Sequence, residues 1–167
     1  DVNGDGKADF IVGAMLDDPV GGGTDAGSAF VFSGADGSLL YQRTGDSVGD
    51  LFGRSVSGAG DVNGDGLDDL LITTASGVIL WCQTALGEFV DDTAARMPAT
   101  GYPTPWAKLV DVDGDNLPEV YLPGGDPMGG NPDRILWNDG AGFFTSSTAL
   151  PIASVRTSDV AVGDVDG

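Results

Sequence analysis

The 167 residues and 16.9 kDa of this chain hold one domain or a few small repeated units, which excludes a large multidomain enzyme. Lys+Arg 7 against Asp+Glu 26 gives a formal charge of -19, so phosphate-rich nucleic acid and insertion into or onto an anionic membrane are excluded and metal cations are the natural partners. With no histidine and one cysteine, imidazole chemistry, thiolate zinc sites and internal disulfides are excluded as well, and hard oxygen ligands are what remains.

The first predicted element is the acidic loop DVNGDGKAD at 1–9, which returns as DVNGDGLDD at 61–69 and DVDGDNLPE at 111–119. A fourth copy, DVDG, begins at Asp164, and the starts lie 60, 50 and 53 residues apart. That period suits a unit of four short strands, such as a propeller blade. After each loop comes an apolar run too short for a helix: Phe10 to Ala14, Leu70 to Thr73 and Val120 to Leu122. Before the loops, 54–60, 107–110 and 157–163 are rich in small and β-branched residues, so each loop is predicted to be a turn between antiparallel strands. Further strands are predicted over 27–33, 38–44, 77–82, 88–94, 133–138 and 143–148, with ILW recurring at 79–81 and 135–137. The stretches 15–25, 95–105 and 123–132 read as loops between strands, on one face of the array. No segment carries a 3.6-residue apolar period, and the expected fold is all-β: propeller blades of four antiparallel strands, about three of them. The units expected are 1–50, a partial blade; 51–105, a full one; 106–154; and 155–167, the start of another. No apolar run approaches the roughly 18 residues that span a bilayer, and Asp1 follows neither Met nor signal peptide, so the expectation is a soluble chain cut from a longer one.

The loops carry the chemistry. Oxygen-bearing side chains fall at positions 1, 3, 5 and 9: Asp1, Asn3, Asp5 and Asp9, then Asp61, Asn63, Asp65 and Asp69. A tight loop turned through glycine points alternate side chains inward, which is how calcium collects its 6–8 oxygens. The backbone carbonyls of Lys7, Leu67 and Leu117 would supply a position-7 ligand, whose side chain is free to vary. The third loop offers Asp111, Asp113, Asp115 and Glu119, with Asn116 in place of the turn glycine; asparagine tolerates positive φ best among the other residues. The fourth retains Asp164 and Asp166. Three calcium ions are expected, one per complete loop. An EF-hand is rejected because its position-12 glutamate is replaced by Val12, Ile72 and Leu122. Asp-Asn-Gly clusters also form ordinary metal-free turns, but three copies with oxygen ligands at the same offsets argue against that reading. Half of the acidic residues, 13 of 26, lie in these loops, where they repel one another unless a cation offsets them.

The segment FGRSVSGAGDVNGDGLDDLLITT at 52–74, together with DFIVGAMLDDP at 9–19, resembles the FG-GAP repeats of the integrin α-subunit β-propeller and of related bacterial extracellular proteins. Beyond about residue 75 the chain looks more like the divergent FG-GAP/VCBS type. The resemblance implies four-stranded blades with calcium in the hairpin loop between the first two strands. It also implies that this is a piece of a larger propeller, whose remaining blades are partners.

Among other residues, Trp81 and Trp137 are expected at equivalent strand positions in blade packing, and Trp106, beside Pro103 and Pro105, is the better candidate for an exposed binding aromatic. Cys82 reads as a small buried residue. Glu88, Asp91 and Asp92 could supply paired carboxylates for glycoside hydrolysis, although acids on a surface strand are usually solvated. The expected function is therefore a non-enzymatic, calcium-binding adhesion or interaction scaffold of a secreted or cell-surface protein, with a protein or glycan ligand at the loop face. The alternative is a segment of a polysaccharide-active enzyme or lectin whose active residues lie elsewhere.

Overall fold

The computed structural model describes residues 1–98, 104–124, 131–151, 157, 159–161 and 163. They form three antiparallel sheets, each a meander in chain order. The first holds β1 (Phe10–Ala14), β2 (Ser28–Phe32) and β3 (Leu39–Thr44). The second holds β4 (Val56–Gly60), β5 (Asp69–Thr73), β6 (Val78–Ala85) and β7 (Glu88–Asp91). The third holds β8 (Lys108–Val110), β9 (Glu119–Leu122), β10 (Arg134–Trp137) and β11 (Ser146–Ala149). The fold is thus all-β in blade-like sheets, and among the described residues the array does not close on itself. Most expected strands are found within a residue or two of their predicted bounds, but the described residues of 157–163 join no sheet, and two expected strands lose three residues at one end. The run predicted over 88–94 leaves the sheet after Asp91 for one helical turn, α1 (Thr93–Arg96), because Asp92 accepts the Arg96 backbone amide and pairs with its side chain. The run over 143–148 starts at Ser146, since Phe143 closes a turn on Asp139 and the Phe144 amide donates to the Arg96 carbonyl at 2.7 Å instead of to a strand.

Stacking explains the burial. Every residue of β5 is buried although successive side chains point to opposite faces, because a sheet lies on each side. Leu70 and Ile72 join Trp81, Phe89, Val2, Val31 and Phe52 in a core shared with the first sheet. Leu71 joins Leu80, Cys82, Val62, Val120, Leu136 and Phe144 in a core shared with the third. The outer face of the first sheet is bare, with Phe10, Val12 and Leu39 exposed and Phe10 stacked on Phe32 at 5.4 Å.

The seam between the first two sheets is drawn by Phe52-Gly53. Phe52 fills the shared core, and its amide donates to the Ala26 carbonyl at 2.9 Å. Gly53 has φ 82°, and a Cβ there would lie 2.4 Å from the Ser28 carbonyl oxygen, so the close backbone approach requires glycine.

The register corrects one expectation. Trp81 lies opposite Leu70, one residue past Asp69, whereas Leu136 lies opposite Val120, one residue past Glu119. The second ILW is therefore displaced by one residue, which turns it to the other face. Leu136 takes the place of Trp81, and Trp137 stands half-buried with its Nε1 donating to Thr148 Oγ1 at 2.9 Å.

Candidate metal centre

Each acidic loop is organised around its first aspartate. In the second, Asp61 Oδ1 accepts the amides of Gly64 at 2.7 Å and Asp65 at 3.0 Å, and Oδ2 accepts that of Gly66 at 2.8 Å. Asn63 Oδ1 accepts the Asp65 amide, and Asp65 Oδ1 accepts that of Leu67, both at 2.9 Å. The first loop repeats these bonds with Asp1, Asn3 and Asp5, ending at the Lys7 amide. In the third, Asp111 accepts the Gly114 and Asn116 amides, Asp113 that of Asp115, and Asp115 that of Leu117. Three different sequences, with Lys7 in one and Leu67 and Leu117 in the others at position 7, thus reach one conformation.

Backbone dihedrals explain the glycines. Gly6 and Gly66 have φ of 82° and 86°, and Asn116 takes 69° in their place, as its tolerance of the left-handed region allows. Gly4, Gly64 and Gly114 have φ between 74° and 81°. Glycine at offset four in all three copies is the sequence mark of this second left-handed position.

The ninth-position acid faces inward to the sheet. Asp69 is buried, and its two oxygens accept the amides of Val62 at 3.0 Å and Gln83 at 2.9 Å, clasping the loop to β6. Asp9 holds Val2 and Gly34 in the same way, and buried Glu119 holds Val112. Burial, and then the charges of Asp65 and Asp61, push the Asp69 carboxyl up to about 6 against its two hydrogen bonds. Burial and the three neighbouring aspartates push Glu119 up as well. Each carboxylate oxygen has two lone pairs, so these amide bonds leave acceptor capacity.

The chemistry of the set fits a hard cation. Among the described residues, Asp111, Asp113 and Asp115 form the group in which one carboxylate oxygen from each lies within 4.8 Å of the others. Two oxygens at 2.3–2.6 Å from one calcium lie at most about 5 Å apart, so one ion can reach all three. The first two loops carry an amide, Asn3 or Asn63, where the third has Asp113. Asp164 and Asp166 lie outside the described residues.

The remaining candidates are placed as follows. Trp106 is not an exposed platform: half-buried, it stacks on Tyr121 at 5.6 Å and donates from Nε1 to the Thr157 carbonyl. Cys82 is buried in the second core, where desolvation, and then the charge of Asp69, push its thiol up to about 12. Glu88 and Asp91 are exposed, Asp91 accepting the Thr93 amide, while Asp92 pairs with Arg96. A polar knot unremarked in the sequence surrounds buried Asp133, which accepts the Tyr121 hydroxyl, the Thr157 hydroxyl at 2.5 Å and the Gly124 amide at 2.8 Å. No helix among the described residues is long and apolar enough to cross a membrane.

Comparison with known proteins matches residues 61–122 to a family described as FG-GAP-like repeat and residues 1–32 to one described as FG-GAP repeat. Integrin alpha-2 of Bos taurus is 30% identical over 101 residues, covering 54% of this chain and 8% of the relative. Integrin alpha-5 of Xenopus laevis is 44% identical over 68 residues, covering 41% and 6%. Integrin alpha-4 of Xenopus laevis is 34% identical over 77 residues, covering 43% and 7%. The chain thus spans less than a tenth of the length of these curated relatives.

Proposed function

This chain carries FG-GAP repeats similar to those of integrin α chains, and on that premise we propose that it is a calcium-stabilised β-propeller segment of a secreted or cell-surface protein, serving adhesion or interaction rather than catalysis. The observation that carries the proposal is the convergence of Asp111, Asp113 and Asp115 within 4.8 Å, in a loop whose hydrogen-bond pattern the other two share. In each loop the first, third and fifth side chains would hold the ion, with the carbonyls of Lys7, Leu67 and Leu117 and the acids Asp9, Asp69 and Glu119 completing the set. Bound calcium would supply positive charge that offsets the crowded carboxylates. The chain's own residues do the rest: the first aspartate gathers the loop amides, and the ninth acid ties the loop to its sheet.

On this reading the blades divide as 1–50, 51–105 and 106–154, with 155–167 opening a further one. The bare face of Phe10, Val12 and Leu39 suits contact with another blade of a longer parent chain, and a protein or glycan ligand would bind at the irregular loops. The test is a thermal melt with millimolar calcium and again with excess EGTA. A melting temperature several degrees lower in EGTA is expected, because an ion bound to the folded state alone stabilises it by mass action. Superimposable melts would reduce the loops to ordinary turns.

A further inference from the structure

The geometry points to a coupling between repeats: the hairpin joining the third and fourth strands of one sheet positions the cation loop of the sheet before it. Calcium in one repeat and docking of the next are then linked. The inference rests on the calcium reading above. At the first junction, the Val2 carbonyl accepts both the Gly87 amide at 2.8 Å and Gln83 Nε2 at 2.6 Å, from the β6–β7 hairpin and its approach. The Val2 amide is held by Asp9, so residue two of the loop is fixed from its own sheet on one side and from the next sheet on the other. At the second junction, a Cβ on Gly142, in the turn between β10 and β11, would lie 2.8 Å from the Val62 carbonyl oxygen and 3.0 Å from Asn63 Cα. Gly87 and Gly142 hold the same place in their hairpins, each two residues before a buried phenylalanine, Phe89 or Phe144.

The third loop supplies the contrast. Val2 and Val62 are 5% and 2% exposed beneath the following hairpin, whereas Val112, at the same loop position with no described hairpin over it, is 37% exposed. Residue two lies between the ligands at positions one and three, so holding it holds both. A loop ordered beforehand loses less entropy on binding, and linkage makes the effect reciprocal: calcium strengthens the docking that favours it.

The experiment is a calcium titration of the full chain by 15N NMR, with the amides of Gly6, Gly66 and Asn116 reading the three loops separately. Gly142→Ala drives a methyl into the second loop and should raise the calcium midpoint at Gly66 about fivefold or more, leaving Gly6 and Asn116 unchanged. Gly140→Ala suffers similar backbone strain, φ 84° against 76°, but its Cβ would meet only Leu117 of its own sheet at 3.5 Å; it should leave Gly66 at the wild-type midpoint. Gln83→Leu removes the side-chain bond to Val2 and should raise the midpoint at Gly6 alone, an independent arm if Gly142→Ala does not fold. An unchanged Gly66 midpoint in folded Gly142→Ala, an equal rise in Gly140→Ala, or a uniform shift of all three loops in Gln83→Leu would overturn the coupling while leaving the calcium reading intact. Wild-type amides that do not respond to calcium would overturn both.

Discussion

Asn116 shows how one residue sets the loop. At φ 69° it occupies a region that costs an ordinary L-residue about 1–2 kcal/mol, and no Cβ contact limits what can stand at the matching Gly66. Asn116→Gly should therefore be neutral or slightly stabilising in urea denaturation, and Asn116→Val should lose at least about 1 kcal/mol; the reverse order would mean that side-chain contacts, not φ, chose asparagine. Asp133 argues a second point at this scale. Burial works against its charge, but the Thr157 and Tyr121 hydroxyls and the Gly124 amide outweigh that and hold its carboxyl below the usual carboxylate range. Its folded pKa is thus lower than its unfolded one, so its contribution is present above about pH 4 and is lost as pH falls through the folded value. Asp133→Asn should cost about 1.5–3 kcal/mol at pH 7 and flatten the acid limb of the stability profile below pH 4. An unaltered acid limb in the variant would remove Asp133 from the account.

At the scale of elements, two tryptophans that look alike in the sequence should behave differently. Trp81 packs at 5.4–6.1 Å from the rings of Phe52, Tyr41 and Phe89 in a closed core, while Trp137 leans on Thr148 at a half-exposed edge. Trp81→Ala should cost about 3–5 kcal/mol and Trp137→Ala about 1 kcal/mol, measured by urea denaturation; equal costs would contradict the displaced register. The strands themselves were legible because short apolar runs, small residues and turn glycines alternate along the whole chain. Register was not legible, since ILW appears twice and only pairing with Leu70 or Val120 decides which residue faces the core. The α1 turn was hidden for a related reason: four residues are too few to show a helical period, and its cause is the link between Asp92 and Arg96. In the candidate site, the shared turn built on the first aspartate of each loop was legible from the repeated offsets, whereas Gln83, 81 residues from the Val2 carbonyl it holds, gave no local signal.

For the whole molecule, a formal charge of -19 must be reconciled with a compact stack of sheets. Half the acids sit in the loops that begin the repeats, where mutual repulsion opposes folding unless a cation offsets it. Contacts run from each sheet to the next, through the Phe52 seam and through the hairpins over the loops, so stability gained at one loop is expected to reach the sheet whose hairpin docks on it. The most direct test is a high-resolution crystal structure of the chain grown in millimolar calcium. The account predicts an ion in the third loop at 2.3–2.6 Å from oxygens of Asp111, Asp113 and Asp115, with counterparts at Asp1-Asn3-Asp5 and Asp61-Asn63-Asp65. Loops that kept their hydrogen bonds but showed no ion density at that calcium concentration would contradict it.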